Sequence, residues 1–363
     1  MKVALINLPI DTNIGGNLQR YALCHILQEI GIDIIHIQIR FAYRLPNWKK
    51  PYVYAKRALL HFLHKKNESI YYEEELRKLY EESLNSILPF YNKYIPHSKP
   101  AYTLKEIKKM IGGCDAAIVG SDQVWRKTIA SKLLPVMLLG DLPKAMPRYA
   151  YSVSFGVGNN ELNEKEIKRF RDCYSKFRMV SVREHSGISI LSKMSCLKPT
   201  PIHLLDPTFL LSKAHYEEMA LSNRTIKEVS GDMICYILDS SEYKTRTIER
   251  LSKEKDMTFY KISLTSNICI EQWLYSFCKA KYIVTDSYHG MVFALIFNKP
   301  YYVFENDYRG NERFNSLMET FGVSLCEESP NWQRINQIIK DERTKALNYI
   351  LEMKQSILSE MRR

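Results

Sequence analysis

Nowhere in the 363 residues does an apolar run approach the roughly 20 that a helix needs to cross a bilayer, so no membrane-spanning helix is expected. The opening MKVALINLPID has too short an apolar run for a secretory signal, being closed by Asn7, Pro9 and Asp11. The eight cysteines show no CxxC spacing, which argues for scattered reduced thiols in a cytoplasmic protein rather than structural zinc. HExxH, GxSxG, GxGxxG and P-loop signatures are all missing, as is any internal repeat or low-complexity tract. What remains is an ordinary soluble composition, 45% hydrophobic and 25% charged, long enough for two domains with a core each.

One further absence is local. Between Ile34 and Asn67 there is no Asp or Glu, while Arg40, Arg44, Lys49, Lys50, Lys56, Arg57, Lys65 and Lys66 are all present. Trp48, Tyr52, Tyr54, Leu59, Leu60, Phe62 and Leu63 are interleaved with them. The net charge of +12 predicts an anionic partner. The mixed basic and aromatic stretch, residues 40–66, suits an anionic membrane interface or nucleic acid, and equally a solvated face over the core.

Hydropathy alternates as in a doubly wound α/β protein. Lys2–Ile6 reads as a strand, 8–16 as a glycine-bearing loop, Asn17–Ile30 as a helix and Ile32–Ile39 as a second strand. Further strands are expected at Ala116–Val119, Tyr149–Phe155, Met179–Val182 and His203–Leu205, after a helical, charged insertion at about 45–110. The expected division is a Rossmann-like domain over 1–212, a linker over 213–230, a second Rossmann-like domain over 231–330 and a C-terminal amphipathic helix over 331–363. The two domains face a cleft. In the second, Tyr282–Thr285, a buried helix through Met291–Phe297 and Tyr301–Phe304 form a βαβ unit.

Candidate functional residues sit where these strands end, the edge at which open parallel sheets bind ligands. Asp286-Ser287-Tyr288-His289-Gly290 follows one strand. His289 reads either as a general acid or base beside a helix N-terminus that favours anions, or as a histidine satisfying its own loop. Asp286 and Ser287 suit N-capping, and Tyr288 packing. Arg309 and Arg313 follow the next strand and Arg183 another, cations suited to carboxylate or phosphate. Glu184 and His185 read as first-turn residues. Gly120, Ser121, Asp122 and Gln123 form a further strand end, with Trp125 either free to stack on a sugar or lodged in the core. Gly15 and Gly16, before Asn17, make a weak phosphate cradle, and Asp206-Pro207 a structural turn.

Seven segments, NIGGNLQRYAL, VGSDQVW, YAYSVSFG, VSVREHSGISIL, LDPTFLL, TDSYHGMVFALIFNKPYYVFEN and RGNERFNSL, occur in an order that resembles the polysaccharide pyruvyltransferase family. That resemblance implies a fold like two-domain GT-B glycosyltransferases. It also implies transfer of the enolpyruvyl unit of phosphoenolpyruvate to a sugar as a cyclic ketal, with release of phosphate. It places His289, in D-x-x-H-G, as acid or base and Arg183, in VRE, on the donor's phosphate or carboxylate. Ser287, Tyr288, Gly290, Arg309 and Arg313 are then expected at the donor, and Gly15, Gly16, Asn17, Ser121, Asp122, Gln123 and Trp125 at the acceptor. Some relatives carry arginine where this chain has Ser287, so Arg309 or Arg313 is expected to supply that charge. No metal or other cofactor is expected, phosphoenolpyruvate being a co-substrate. The implied acceptor is a glycan linked to polyprenyl diphosphate at the inner face of the membrane, where residues 40–66 would make peripheral contact; nucleic acid is not the expected partner. Two other readings share the architecture: a nucleotide-sugar glycosyltransferase and a non-catalytic anion- or nucleic-acid-binding protein.

Overall fold

A computed structural model describes residues 1–43, 45–63, 69–222, 231–263, 266, 268–306 and 309–362. Six parallel strands make the first sheet: β1 Lys2–Ile6, β2 Asp33–His36, β3 Ala116–Val119, β4 Arg148–Val153, β5 Phe177–Val182 and β6 Ile202–His203, in the order β2-β1-β3-β4-β5-β6. The second sheet comprises β7 Met233–Tyr236, β8 Phe259–Ile262, β9 Tyr282–Thr285, β10 Tyr301–Val303 and β11 Cys326–Glu327, in the order β11-β10-β9-β7-β8. Its β11 pairs antiparallel with β10. Helices cover both faces of each sheet, which is why the AAIV of β3 and the YIVT of β9 are apolar without alternation. The result is the expected pair of doubly wound domains, GT-B-like, with a helix at the C-terminus.

The helix after β1, Ile14–Glu29, begins three residues earlier than the expected Asn17 because Asn13 caps it, accepting from Gly16 N at 3.0 Å. Gly15 and Gly16 therefore lie in a helical first turn, not in a loop. The insertion also ends sooner than expected. After the helices Lys50–Phe62, Tyr72–Ser83 and Leu88–Tyr94, His97 bridges to His36 and Ala101 to Ile39, both parallel. Residues 97–101 thus run along the open edge of β2.

The first part of the expected linker is the helix Lys213–Leu221, capped by Ser212; residues 223–230 lie outside the described ones. One apolar cluster is continuous across both domains, from Leu18 and Leu27 through Phe209 and Tyr216 to Trp273, Phe293 and Ile350. The cleft is thus an opening at the strands' carboxyl ends rather than a full separation. The final helix, Trp332–Met361, lies back on the first domain, where Tyr349 donates to Ala150 O at 3.0 Å. Its buried stripe is Ile335, Ile339, Ala346, Tyr349, Ile350, Met353 and Ile357; the spacing of Leu347, Ile350, Leu351, Ile357, Leu358 and Met361 predicts a stripe, of which Leu351, Leu358 and Met361 are exposed.

Candidate active site

The loop after β9 is fixed before it can carry a reactive group. Asp286 accepts from Leu238 N at 2.7 Å, Asp239 N at 3.0 Å and Lys244 Nζ at 2.7 Å, and Thr285 Oγ1 accepts from Ser287 N at 3.0 Å. Ser287 caps the helix Tyr288–Phe297, accepting from Gly290 N at 3.4 Å. Gly290 packs on Thr285, where a Cβ would lie 2.2 Å from Thr285 Oγ1, so its part is close packing rather than donor contact. His289 then projects from the first turn towards the other domain. A Cβ on Gly15 would stand 2.1 Å from His289 Cγ, so the glycine is what allows the two domains to close over the ring.

Across from the ring, His289 Nε2 is 3.5 Å from Asp206 Oδ2 and makes no hydrogen bond. Asp206 also pairs with Arg183 Nη1 at 2.9 Å, while its Oδ1 accepts from Thr208 N at 3.0 Å and Thr208 Oγ1 at 2.8 Å. Burial would raise the Asp206 pKa, but His289 and Arg183 outweigh it and hold the carboxyl well below the usual range. Asp206-Pro207 is therefore more than a turn. It is the charge that joins a first-domain arginine to a second-domain histidine.

The open space, about 240 Å³, is bordered by Asp122, Gln123 and Gly16 from one domain and Ser287, Tyr288, His289, Arg309 and Arg313 from the other. Arg309 grips Asp239 through Nε at 2.6 Å and Nη2 at 3.2 Å. Arg313 is buried, donates Nη2 to Arg309 O at 2.7 Å and stands 5.2 Å from the Tyr288 ring. Burial and the neighbouring Arg183 push its pKa down to about 10. Asp122 adopts φ +81°, a left-handed backbone. Burial opposes its ionisation, yet Arg183, His289 and Arg313 together hold its pKa below the usual carboxylate value.

Several expected residues stand elsewhere. Arg183 does not border the opening: its side chain is fully buried beneath it, 3.5 Å from Asp122 and 4.7 Å from the Tyr288 ring. Trp125 is a core residue, donating Nε1 to Met137 O at 3.1 Å and packing edge-on against Phe155, Phe170 and Phe177, so it offers no face to a sugar. Ser121 is wholly buried, and Glu184 stands just before the helix His185–Lys193 rather than in its first turn, its side chain accepting from Ser154 Oγ, Phe155 N and Gly156 N. Asn17 donates its amide N–H groups to Asp11 O and Asn13 O, and its Oδ1 accepts from Arg20 Nη1 at 2.6 Å, so it positions Arg20 instead of meeting acceptor.

Arg20 itself escaped the sequence reading, although it lies inside NIGGNLQRYAL. It is buried, donates Nη2 to Leu8 O at 3.0 Å, borders the opening, and makes no ion pair among the described residues. Its place three residues after Asn17, on the same helix face, was the available signal. The closure also makes a test. In a helix Ala normally improves on Gly, but Gly15→Ala is expected to cost about 1–3 kcal/mol by overpacking and to lower turnover by displacing His289. Urea denaturation and initial rates would check both; a more stable, fully active variant would show that the ring is not held there.

Solved structures of similar chain trace include UDP-GlcNAc 2-epimerase from Methanocaldococcus jannaschii, 13% identical with TM-score 0.47, over 94% of this chain and 92% of that one. The UDP-N-acetylglucosamine 2-epimerase from Rickettsia bellii is 9% identical with TM-score 0.48 over 99% of both chains. No curated protein matches the chain. A family model described as polysaccharide pyruvyl transferase matches residues 13–308, from the cap of the first helix through the His289 loop, and ends just before Arg309. The chain therefore belongs to the polysaccharide pyruvyl transferase family.

Proposed function

We propose that the chain moves the enolpyruvyl group of phosphoenolpyruvate onto a sugar of a cell-surface polysaccharide precursor linked to a lipid diphosphate, closing a pyruvate ketal and releasing phosphate. The observation that carries this reading is the company His289 keeps: Arg20, Arg309 and Arg313 border the same opening, at the N-terminus of a capped helix. Such a site suits a small, multiply charged donor with carboxylate and phosphate at opposite ends.

The reaction follows from those groups. Protonated His289 delivers its proton to C3 of the enol, which leaves C2 electron-poor. A sugar hydroxyl adds to C2, and its proton returns to the imidazole or passes to Asp122. The C2–O bond to phosphate then breaks, with the departing charge met by the guanidinium groups. A second hydroxyl of the sugar adds at C2 and closes the ketal, its proton leaving with the released phosphate. Asp206, 3.5 Å from Nε2, would keep the imidazole oriented, acting through His289 and not on the substrate.

Phosphoenolpyruvate should raise the melting temperature of the wild-type protein, and Arg20→Gln should raise KM for phosphoenolpyruvate by roughly 10- to 100-fold, the loss of about 1.5–3 kcal/mol in a charged hydrogen bond. Stabilisation by a uridine diphosphate sugar and none by phosphoenolpyruvate would sink the proposal in favour of glycosyl transfer.

A further inference from the structure

The helix Lys50–Phe62 is turned inside out. It has no buried residue. Its half-buried side, Val53, Tyr54, Arg57 and Leu60, faces the helix Tyr72–Ser83, where Glu73 takes both ends of the Arg57 guanidinium at 2.7 and 2.8 Å. Its outer side carries Tyr52, Leu59 and Phe62, and with Trp48 in the turn before it these recur at helical spacing along one line. Trp48 is 77%, Tyr52 70%, Leu59 59% and Phe62 81% exposed. Isolated surface apolar residues need no explanation, but an ordered stripe of large ones does.

We infer that this stripe, flanked by Lys49 and Lys56, is a docking face that inserts shallowly into an anionic lipid surface. Three observations favour lipid. The stripe joins aromatic and aliphatic side chains to lysines with no acid among them, the pattern of a helix lying in the membrane interface. Glu73 and Glu74 of the neighbouring helix border a hollow beside Lys50 and Tyr54, which no stripe residue enters. A second copy of the chain would bring like-charged lysines against one another across the stripe, which lipid headgroups would instead neutralise.

Continuity with the site points the same way. An apolar groove of about 370 Å³, lined by Ile39, Phe41, Leu104, Ile107 and Leu133 with Arg40 and Lys132 as its only charges, shares Pro9 and Ile129 with the catalytic opening. Phe41 lies 5.8 Å from Tyr43, which in turn borders the hollow beside Lys50. Helix, groove and opening therefore follow one another along one side of the molecule. No helix among the described residues is long and apolar enough to cross a membrane, so the contact is with one leaflet. Arg44, Lys65 and Lys66 of the basic stretch lie outside the described residues.

Flotation of the full-length chain with phosphatidylcholine vesicles, with and without phosphatidylglycerol, tests the inference. Binding is expected to the anionic vesicles, weakening with salt. Brominated acyl chains should quench the wild type but not Trp48→Phe, the other tryptophans being buried (Trp125 and Trp273) or half-buried (Trp332). Leu59→Ser with Phe62→Ser should weaken binding at least tenfold. Replacing Lys49 and Lys56 by Glu should weaken it about 25-fold or more, roughly fivefold for each lysine lost. Both variants should turn over a soluble acceptor like wild type. No binding, or binding without quenching, would overturn the inference. So would a fall in oligomer size in the serine variant without vesicle binding, which would assign the stripe to a second copy. Binding to RNA that only the lysine variant loses would assign the charge to a polyanion and overturn it too. Vesicle binding is read without turnover, so its failure is separate from any failure of the donor assignment.

Discussion

Replacing His289 by alanine is expected to lower acceptor-dependent phosphate release from phosphoenolpyruvate by about 10³-fold, within the 10²–10⁴ that a positioned acid or base contributes. Donor binding should survive, because Arg20, Arg309 and Arg313 remain in place around the opening. The informative result is thus a collapse of kcat together with a preserved thermal shift on adding phosphoenolpyruvate. Turnover within a few-fold of wild type would make His289 a packing residue between Gly15 and Asp206, and would move the search for the proton-transfer group to the ionised Asp122, as a base.

The largest effect on stability is expected at Asp206. Its carboxylate is buried and serves Arg183, His289 and the Thr208 backbone at once, so Asp206→Ala leaves a buried guanidinium short of its nearest countercharge. Breaking such a set from one side costs about 3–5 kcal/mol. Its pH signature follows from the depressed native pKa. Between that value and the unfolded value of about 3.9, the unfolded chain binds the proton and the folded chain does not. The stabilisation is therefore fully present above the unfolded value and is lost as pH falls towards the native one. Urea midpoints measured from neutral pH down to about pH 3 should fall less steeply for Asp206→Asn than for wild type. Parallel slopes would show that the carboxylate titrates normally and that the pair with Arg183 is weak.

How far the site was legible depends on whether its signals were local. The β9–helix–β10 unit was, because a helix apolar on every side can only be buried, and Asn298 stops it in a left-handed conformation at φ +57°. Its histidine, and the arginines after β10, were therefore placed correctly at a strand's carboxyl end. Asp206 was legible only as the neighbour of a proline. Its partners Arg183 and His289 come from other strands, and nothing in LLDPTFLL announces them. Arg20 was concealed by the apolar stripe around it, which reads as a packing helix. Trp125 misled in the opposite direction: its strand-end position suggested the cleft, while its side chain turns to an aromatic cluster beneath the sheet. At the level of the fold, the two-residue β11 carries too little sequence to read, and the Asn13 cap shifted the first helix because an asparagine before two glycines looks like a loop.

The course of the final helix sets how the two halves can move. The polypeptide leaves the first domain after Phe209 and returns to it along Trp332–Met361, so it passes between the halves twice. Arg343 ties the passages together, donating Nε to Phe209 O at 2.9 Å and Nη2 to Leu211 O at 2.7 Å. A single tether would let one half swivel freely on the other. Two tethers pinned side by side behave like a door on a fixed pin, which swings about one line and resists twisting. Each swing would then bring the His289 ring back to the same seat over Gly15, so that the register of the reacting groups is kept by a guanidinium that never approaches the substrate.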